Sequence, residues 1–528
     1  MPQEKAIATI TNSIADFQMV TNDAFLKKAE MLCPQIRHHE ARPVSEVSIS
    51  RDGRSWRADW KGTVQEAMKR RYGRGDSLIL DFGSHFVGYP HIVLQSVGSP
   101  QDAPAYVAVR FGETPAEIGE TTADYHGSIS SSWLQESTSH IDVLPGEIPL
   151  HRRYAFRYMQ ITVLDTSPKY KLMIQDIVVD TVSSADRSAL LPCREDLPED
   201  LKRIDAVGAR TLYECMQDVF EDGPKRDRRL WMGDFRVQAL VNYETFKNYD
   251  LVKRCLYLFA GACMNGGQVG ACLFTAPKVQ VDDTALFDYS LLYVPTLYEY
   301  YEATGDSETL RELSETAFTQ LRIAAGKLDE RGIVRDDPSW WCFLDWNSEL
   351  NKQAGAQGVY IYCLRYGLAI AELVGDEEEA ARIREKLDAA SEAARKYLWE
   401  PDLGFFVSGE DRQVSWISQV WMILAGVFSK EENCALLRRL KIVDPRIRLI
   451  SPYAHHYYVD ALCHNGMETE ITEYIRGYWG KMVEEGADCY WEVFDPLDPD
   501  ASPYGSKAIL SYCHAWSCTA SYFIRKWL

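Results

Sequence analysis

The stretch that decides the fold is FDYSLLYVPTLYEYYEATGDSETLRELSETAFTQLRIAAGKL, residues 287–328. It contains two amphipathic helical segments with Gly305-Asp306 between them. Glycine commonly ends a helix because it tolerates a left-handed backbone, and aspartate is a preferred cap for the helix that follows. The stretch therefore predicts a helical hairpin, with helices over Phe287–Glu302 and Ser307–Leu328.

The same helical pattern extends from about residue 205 to residue 528, with further stops at Gly332, Gly375-Asp376 and Pro401. With the first hairpin included, the pattern predicts twelve helices: Arg210–Phe220, Phe235–Ala260, Phe287–Glu302, Ser307–Leu328, Gly355–Val374, Glu377–Leu398, Ser415–Phe428, Lys430–Leu440, His455–Cys463, Glu468–Glu484, Ser506–Cys513 and Ala515–Trp527. Twelve helices divide into six hairpins, and the sequence lacks the fixed-period repeat of an open solenoid. We therefore expect a closed (α/α)6 toroid, whose inner helices direct one set of loops into a central funnel that suits a sugar.

Residues 45–185 show a different pattern. Short runs such as DSLILDFG, AYVAVRFG and KLMIQDIVV are rich in β-branched and aromatic residues, and Gly, Pro, Asp and Ser interrupt them about every ten residues. The segment Tyr158–Val163 alternates with a period of two. These features predict an antiparallel β-sandwich. We favour packing against the helical domain as its role, with carbohydrate binding as the alternative.

The two patterns predict a multi-domain α and β protein. Residues 1–44 are interpreted as an N-terminal extension that packs on the body of the protein. Residues 45–200 are interpreted as the β-sandwich domain, and residues 201–528 as the (α/α)6 catalytic domain.

Composition restricts the choice of partners. The 528 residues include 57 Lys+Arg and 77 Asp+Glu, a net charge of −20, and 46% are apolar, as in an ordinary globular protein. Nucleic acids and anionic membranes bind through clusters of basic residues, so we expect neither as a partner. A neutral carbohydrate fits better. The oligomeric state stays open, with a homodimer as one option.

The first twenty residues lack a basic segment followed by an apolar one, so we expect no signal peptide and a cytoplasmic location. The longest mostly apolar run, Val414–Phe428, is shorter than the ~20 residues of a membrane span. The thirteen cysteines are scattered singly, without a CxxC pair, so we expect reduced thiols and neither disulfides nor a structural metal. No nucleotide, zinc-protease or serine-hydrolase motif occurs, and we predict no cofactor.

Four segments combine acidic, basic and aromatic residues: Glu221–Asp234, Trp340–Asn347, Glu485–Asp495 and Ser511–Ser517. Aromatic faces beside carboxylates suit a sugar, whose C–H faces stack while its hydroxyls form hydrogen bonds. Each segment alone also has a structural interpretation. Asp234 could cap a helix, and the basic residues of the first segment could neutralise its acids. His514 could be a buried structural histidine, and the tryptophans could pack in the core.

Together the segments resemble glycoside hydrolase family 78, the α-L-rhamnosidases, over most of residues 205–528. The family loop Asp-x-Pro-x-Arg-Glu-(x)-x-Gly-Trp-x-x-Asp is matched by Asp222, Pro224, Arg226, Trp231 and Asp234. The later family motif Gly-Ala-Thr-Thr-x-Trp-Glu is similar to residues 486–492, and its closing histidine corresponds to His514. Two positions depart from the pattern: Asp227 stands where the family usually has the glutamic acid, and Leu230 where it has glycine.

The resemblance implies roles for these residues. Asp227 would be the general acid and Glu492 the general base of an inverting hydrolysis, which requires two carboxyl groups with room for a water molecule between them. The predicted substrate-binding residues are Asp222, Arg226, Trp231, Asp234, Trp341, Asp345, Trp491 and His514, with no metal ligand among them.

The sequence therefore predicts an inverting glycosidase that cleaves terminal α-L-rhamnosyl residues from small glycosides or oligosaccharides. One alternative is an (α/α)6 glycosidase for a different sugar, because this fold hosts several activities. Another is a sugar-binding homologue with weakened catalysis, suggested by Asp227 and opposed by the presence of Glu492.

Overall fold

A computed structural model describes residues 18–53, 55–120, 122, 123, 125–498 and 501–528. Most of the predicted N-terminal extension, residues 1–17, lies outside them. The described remainder contacts the helical part of the chain: Val20–Thr21 pairs antiparallel with Ala262–Cys263, and helix Asp23–Met31 packs on helix Tyr249–Gly261. The boundaries predicted at residues 44 and 200 stay predictions.

The N-terminal region is built from antiparallel β-strands, as predicted. Among the residues that the structure describes, nine strands are connected: Arg37–Ala41, Ser45–Asp52, Ser55–Gly62, Ser77–Val97, Ala105–Gly112, Glu136–Ile141, Gly146–Glu147, Tyr154–Asp165 and Lys171–Ser183. The long strand Ser77–Val97 pairs with Tyr154–Asp165 along its first half and with Lys171–Ser183 along its second. Met159, Ile161 and Val163 are buried in the core beneath, with half-buried residues between them, as their period of two predicts.

In the described part of the chain, the helical region forms six hairpins arranged in a ring. Among the described residues, six helices form the inner layer: Met232–Glu244, Phe287–Thr304, Gln353–Val374, Trp416–Leu424, Pro452–His464 and Ala520–Trp527. Each packs on the next, and the last packs on the first. The outer helices are Glu199–Cys215, Tyr249–Gly261, Ser307–Ala325, Glu377–Ala393, Lys430–Val443 and Glu468–Ile475, the last continuing through Arg476–Gly480 and Lys481–Glu484.

The first and last helices of this region close the ring. Arg525 binds both carboxylate oxygens of Asp205 at 2.7 and 2.8 Å, and Ser521 Oγ donates to the Asp205 carbonyl at 2.9 Å. Arg525 also donates to the carbonyls of Leu191 and Glu244 at 2.9 and 3.0 Å. One buried ion pair therefore holds the seam of the ring.

Four predicted helices are wrong in extent or kind. Ala515–Trp527 begins with a separate 3-10 turn, Ala515–Ser517, and its α-helix starts only at Ala520. Phe235–Ala260 is two helices, because Lys247 has a left-handed φ of 52° and the Asn242 side chain bonds both backbone groups of Asn248. Arg210–Phe220 is the end of a helix that begins at Glu199 and stops at Cys215. Ser506–Cys513 contains only a short 3-10 turn, Lys507–Ile509.

Within the described residues, no helix combines the length and the apolar character that a bilayer crossing requires.

Candidate active site

A cavity of about 290 Å³ lies at the N-terminal ends of inner helices Met232–Glu244 and Phe287–Thr304, where loops of the ring meet the β region. Eight of the ten residues predicted for the site line it: Asp222, Arg226, Asp227, Trp231, Asp234, Trp341, Glu492 and His514. Asp345 and Trp491 do not.

The loop that carries Asp222 and Asp227 is closed by its own backbone. Asp222 N donates to the Arg229 carbonyl at 3.1 Å, and Arg229 N donates to the Asp222 side chain at 3.0 Å. Gly223 is required because a Cβ there would lie 2.7 Å from Ser511 Oγ and 3.2 Å from the Cys513 carbonyl. This close approach brings the first loop against the segment that carries His514.

Glu492 is held as a carboxylate. Its oxygens accept hydrogen bonds from Tyr504 Oη at 2.5 Å and Ser511 N at 3.2 Å, and they form an ion pair with Arg226. Burial opposes ionisation, but the charge of Arg226 and these hydrogen bonds outweigh it and lower the pKa of Glu492. At neutral pH the group can therefore accept a proton.

Arg226 lines the cavity, yet its guanidinium is engaged by protein groups. Besides the Glu492 pair, Nε donates to the Ile509 carbonyl at 2.8 Å, and the Tyr504 ring lies 4.3 Å from the guanidinium carbon. Arg226 is therefore better placed to position Glu492 than to bind substrate, which is the role that the sequence predicted for it.

Asp222 and Asp234 are both 3% exposed and lie near His514. Burial raises the pKa of Asp222 well above its usual value, and Asp227 and Asp234 raise it further by charge repulsion. Burial also raises the pKa of Asp234 to about 8, although Tyr289 Oη donates to Oδ2 at 3.2 Å. Asp234 therefore favours the protonated form at neutral pH, and a protonated carboxyl donates a hydrogen bond as well as accepting one.

His514 is neutral at pH 7, because burial lowers its pKa to about 4. Its Nδ1 lies 3.9 Å from Asp234 Oδ1, and its Nε2 lies 3.7 Å from Asp222 Oδ2. Neither His514 Nδ1 nor Asp234 Oδ1 has a hydrogen-bond partner among the described residues. Buried polar atoms of this kind normally have partners, so one ligand hydroxyl beside both atoms would satisfy them.

The Asp227 side chain is 26% exposed, far more than Asp222, Asp234 or Glu492. Its nearest cation is Arg226, with Nη1 3.9 Å from Asp227 Oδ1. The carboxyl is therefore accessible from the cavity.

Aromatic side chains form much of the cavity wall. They are Trp133, Trp231, Tyr289, Trp341, Phe343, Trp346, Tyr504 and Trp516. Trp516 Nε1 donates to the Glu492 carbonyl at 2.9 Å, whereas Trp341 Nε1 and Trp346 Nε1 have no partner among the described residues. The wall thus combines apolar faces with free N–H donors.

The β region supplies part of this wall, through Ile129 and Trp133. Ser128 N donates to the Tyr504 carbonyl at 2.9 Å, which ties the segment to the residue that binds Glu492. The sequence did not predict these contributions. Trp133, an isolated tryptophan in the polar run GSISSSWLQES, was the one available signal.

Asp345 lies outside the cavity because backbone groups occupy its carboxylate. It accepts hydrogen bonds from Ile450 N at 2.8 Å, from Ser451 N at 2.9 Å and from Trp346 N at 2.8 Å. These bonds fix the start of helix Pro452–His464. The structure does not support the substrate-binding role predicted for Asp345.

Trp491 faces away from the cavity, on the opposite side of its backbone from Glu492. Its ring packs against Phe494 and Tyr512, with centroid distances of 5.5 and 5.4 Å. The substrate-binding role predicted for Trp491 is not supported either.

Among the described residues, the one group of side chains placed to hold a metal ion lies outside the cavity. They are His85, Cys489 and Cys513, whose potential ligand atoms lie within 4.8 Å of one another.

Comparison with known families finds matches over both regions. Residues 43–181 match the family described as "glycosyl hydrolase family 78 alpha-rhamnosidase N-terminal domain". Residues 187–528 match the family described as "bacterial alpha-L-rhamnosidase 6 hairpin glycosidase domain". Comparison with curated proteins finds no match.

Several solved structures are similar to this chain. A rhamnosidase from Klebsiella oxytoca with rhamnose bound is 47% identical, with a TM-score of 0.94, over 97% of this chain and 99% of that chain. A family 78 rhamnosidase of Bacillus sp. GL1 is 21% identical, with a TM-score of 0.72, over 89% of this chain and 49% of that chain. The Streptomyces avermitilis α-L-rhamnosidase complexed with L-rhamnose is 16% identical, with a TM-score of 0.65, over 93% of this chain and 44% of that chain. The last two show a shared fold.

Proposed function

Because this chain belongs to the α-L-rhamnosidases of glycosyl hydrolase family 78, we propose that it removes terminal α-L-rhamnosyl residues from small glycosides or oligosaccharides by an inverting acid/base mechanism. The observation that carries the proposal is one cavity lined by an accessible carboxyl, Asp227, and a carboxylate held ionised, Glu492.

Asp227 is the proposed general acid. A glycosidic bond breaks through an oxocarbenium-like state, and the leaving oxygen needs a proton as the bond lengthens. The Asp227 carboxyl is the accessible acid of the first loop, whereas Asp222 is buried and bonded to Arg229 N. This accessibility supports Asp227 as the proton donor.

Glu492 is the proposed general base. Its ionised state lets it orient a water molecule and take a proton from that water as the anomeric carbon becomes positive. Arg226, Tyr504 and Ser511 N fix the carboxylate, so little reorganisation is needed during the reaction. Inversion is proposed because Asp227 and Glu492 come from loops far apart in the chain, with a cavity between them for substrate and water.

The proposed sugar hydroxyl contacts use the polar atoms that the protein leaves without partners. A hydroxyl oxygen about 2.8 Å from both His514 Nδ1 and Asp234 Oδ1, to one side of the 3.9 Å line that joins them, bonds to both. Asp222, 3.7 Å from His514 Nε2, supplies a further contact. As positive charge develops on the ring, the ionised carboxylate of Glu492 stabilises it.

The tryptophan wall suits the apolar parts of rhamnose. Trp231 and Trp341 offer faces for the C–H groups of the ring or for the C6 methyl group. A volume of about 290 Å³ accommodates a monosaccharide. The 47%-identical Klebsiella oxytoca rhamnosidase binds rhamnose, and this supports the same sugar here.

Aryl α-glycosides of L-rhamnose, L-arabinose, L-fucose and D-mannose test the sugar. We expect the largest kcat/KM with the L-rhamnoside. Faster turnover of another glycoside would replace the substrate and keep the enzyme class. Binding of rhamnose without turnover of any of the four would favour the sugar-binding alternative.

Asp227→Asn and Glu492→Gln test the two roles. Each removes a proton-transfer group, so we expect kcat to fall about 10²–10⁴-fold in each. Asp227→Asn should keep the wild-type melting curve, whereas Glu492→Gln should melt at a lower temperature because it leaves Arg226 buried without its carboxylate. Glu378→Gln, at an exposed position on helix Glu377–Ala393, is the matched control and should keep wild-type activity. Activity within a few-fold of wild type in either of the first two variants would remove that residue from its proposed role.

A further inference from the structure

A histidine and two cysteines meet at the junction of the β region and the ring. His85 lies on strand Ser77–Val97, and Cys489 and Cys513 lie on two loops of the helical region. One ring nitrogen of His85 and the two Sγ atoms lie within 4.8 Å of one another. All three residues are buried, with exposures of 1%, 2% and 0% in that order, and both thiols are free.

The His85 ring is oriented as a metal-binding histidine usually is. Its Nε2 lies 3.0 Å from Glu113 Oε1, and Glu113 Oε2 accepts from Tyr512 N at 2.7 Å, so the acceptor is itself fixed. Ligand histidines commonly donate their second N–H to a carboxylate, which directs the other nitrogen at the metal. Here that nitrogen is Nδ1, which is buried and, among the described residues, has no hydrogen-bond partner other than the Cys489 thiol.

We propose that His85 Nδ1, Cys489 Sγ and Cys513 Sγ bind one Zn²⁺ ion, with the fourth coordination position facing the Glu214 carboxyl. Glu214 Oε2 lies 4.0 Å from His85 Nδ1, and Glu214 Oε1 has no partner among the described residues. Thiolates and imidazole are the ligands of tetrahedral zinc sites. Two thiolates and a neutral imidazole balance the charge of Zn²⁺, which a buried site needs, and the thiol protons leave to solvent.

There is room beside the cluster for an ion and for its approach. A small cavity of about 20 Å³ is lined by His85, Cys489, Glu113, Asp488 and Arg157, among others. This volume corresponds to about one water-sized sphere. It adjoins two of the proposed ligands, His85 and Cys489, at the junction of the β region and the ring.

The proposed ion would connect the β region to both loops of the candidate active site. Cys489 precedes Glu492 by three residues, and Cys513 directly precedes His514. Zinc bound to His85 would therefore fix the two loops relative to strand Ser77–Val97. Its role is structural, and it does not depend on which sugar the cavity accepts.

Metal content tests the proposal. The full chain is produced in zinc-supplemented medium, purified without chelator or histidine tag, and analysed by mass spectrometry of its elements. We expect about one Zn²⁺ per chain. Cys489→Ser and Cys513→Ser should lose the ion, whereas Cys363→Ser, at a buried cysteine of helix Gln353–Val374, should keep it. A wild-type chain without zinc, or serine variants with wild-type zinc content, would overturn the proposal.

Cobalt provides a second test that needs no variant. Zinc is removed from the wild-type chain and Co²⁺ is added as the probe. Coordination by Cys489 and Cys513 should produce a thiolate-to-cobalt absorption band in the near ultraviolet, together with the intense visible bands of tetrahedral cobalt. We also expect Tm to fall on zinc removal and to recover on zinc addition. Bound cobalt without the thiolate band, or a Tm insensitive to zinc, would refute the site.

Discussion

Tyr504→Phe removes one of the hydrogen bonds that keep Glu492 ionised. The Tyr504 hydroxyl donates to Glu492 Oε1 at 2.5 Å, and both side chains are buried. A hydrogen bond to a charged group contributes about 1.5–3 kcal/mol. Because one pKa unit corresponds to about 1.4 kcal/mol, loss of this bond should raise the pKa of Glu492 by about one to two units.

The sign of the effect follows from the role of the hydroxyl. It stabilises the carboxylate and therefore lowers the pKa of Glu492, so its removal keeps the group protonated to a higher pH. If Glu492 is the general base, the acidic limb of kcat/KM moves up by about one to two pH units. At pH values above the pKa of Glu492 in both the wild type and the variant, kcat/KM should change little, because Phe retains the ring that contacts Arg226.

The assay is kcat/KM for an aryl α-L-rhamnoside measured through the acidic range. Tyr360→Phe is the matched control, because the Tyr360 hydroxyl is buried on helix Gln353–Val374 and has no partner among the described residues. The control should keep the wild-type acidic limb. An acidic limb that stays in place in active Tyr504→Phe would show that Glu492 is not the group that titrates there.

Two further predictions concern stereochemistry and stability. Proton NMR of the first product should show the inverted anomer, and a retained anomer would instead make Glu492 a nucleophile or displace it from the site. Arg525→Ala should lower the free energy of unfolding by about 3–5 kcal/mol, measured by urea denaturation, because it leaves Asp205 buried without its cation. Arg476→Ala, which breaks an exposed pair with Asp200, is the control and should lower the free energy of unfolding by less than about 1 kcal/mol. Equal losses of this free energy in both variants would refute this account of the seam.

Periodicity in the sequence predicted the overall fold correctly, but it did not predict the bounds of every helix. Within the described residues the ring has twelve helices, as predicted, yet two errors cancel in that number. The break at residues 245–248 was missed because apolar residues continue on both sides of it, while a side chain, Asn242, makes the turn. Residues 506–513 look helical, but their backbone donors bind Glu492 and Glu113 instead. Such long-range bonds have no local pattern.

Motifs located the site but did not show which way each side chain points. Neighbours in an extended segment face opposite sides, so Glu492 reaches the cavity and Trp491 does not. Asp345 stands in an aromatic, acidic run, yet its oxygens fix the start of a helix. Sequence spacing carries no information on these orientations.

The contributions that the sequence did not predict come from segments far apart in the chain. Trp133 and Tyr504 meet at one cavity although they belong to the β region and the ring. His85, Cys489 and Cys513 are single residues in sequence and neighbours only in the fold. No motif connects them, because the packing of one region on the other creates the contact.

The seam at Asp205 and Arg525 constrains how the ring is made during synthesis. Helix Glu199–Cys215 emerges from the ribosome long before helix Ala520–Trp527, its neighbour at the seam. Until helix Ala520–Trp527 emerges, the earlier hairpins form an open arc. The apolar surface that this helix will cover is then exposed, and it is open to aggregation or chaperone binding. Contacts of such large sequence separation also slow folding. His514 lies six residues before the closing helix, so the cavity is completed almost at the moment when the arc becomes a ring.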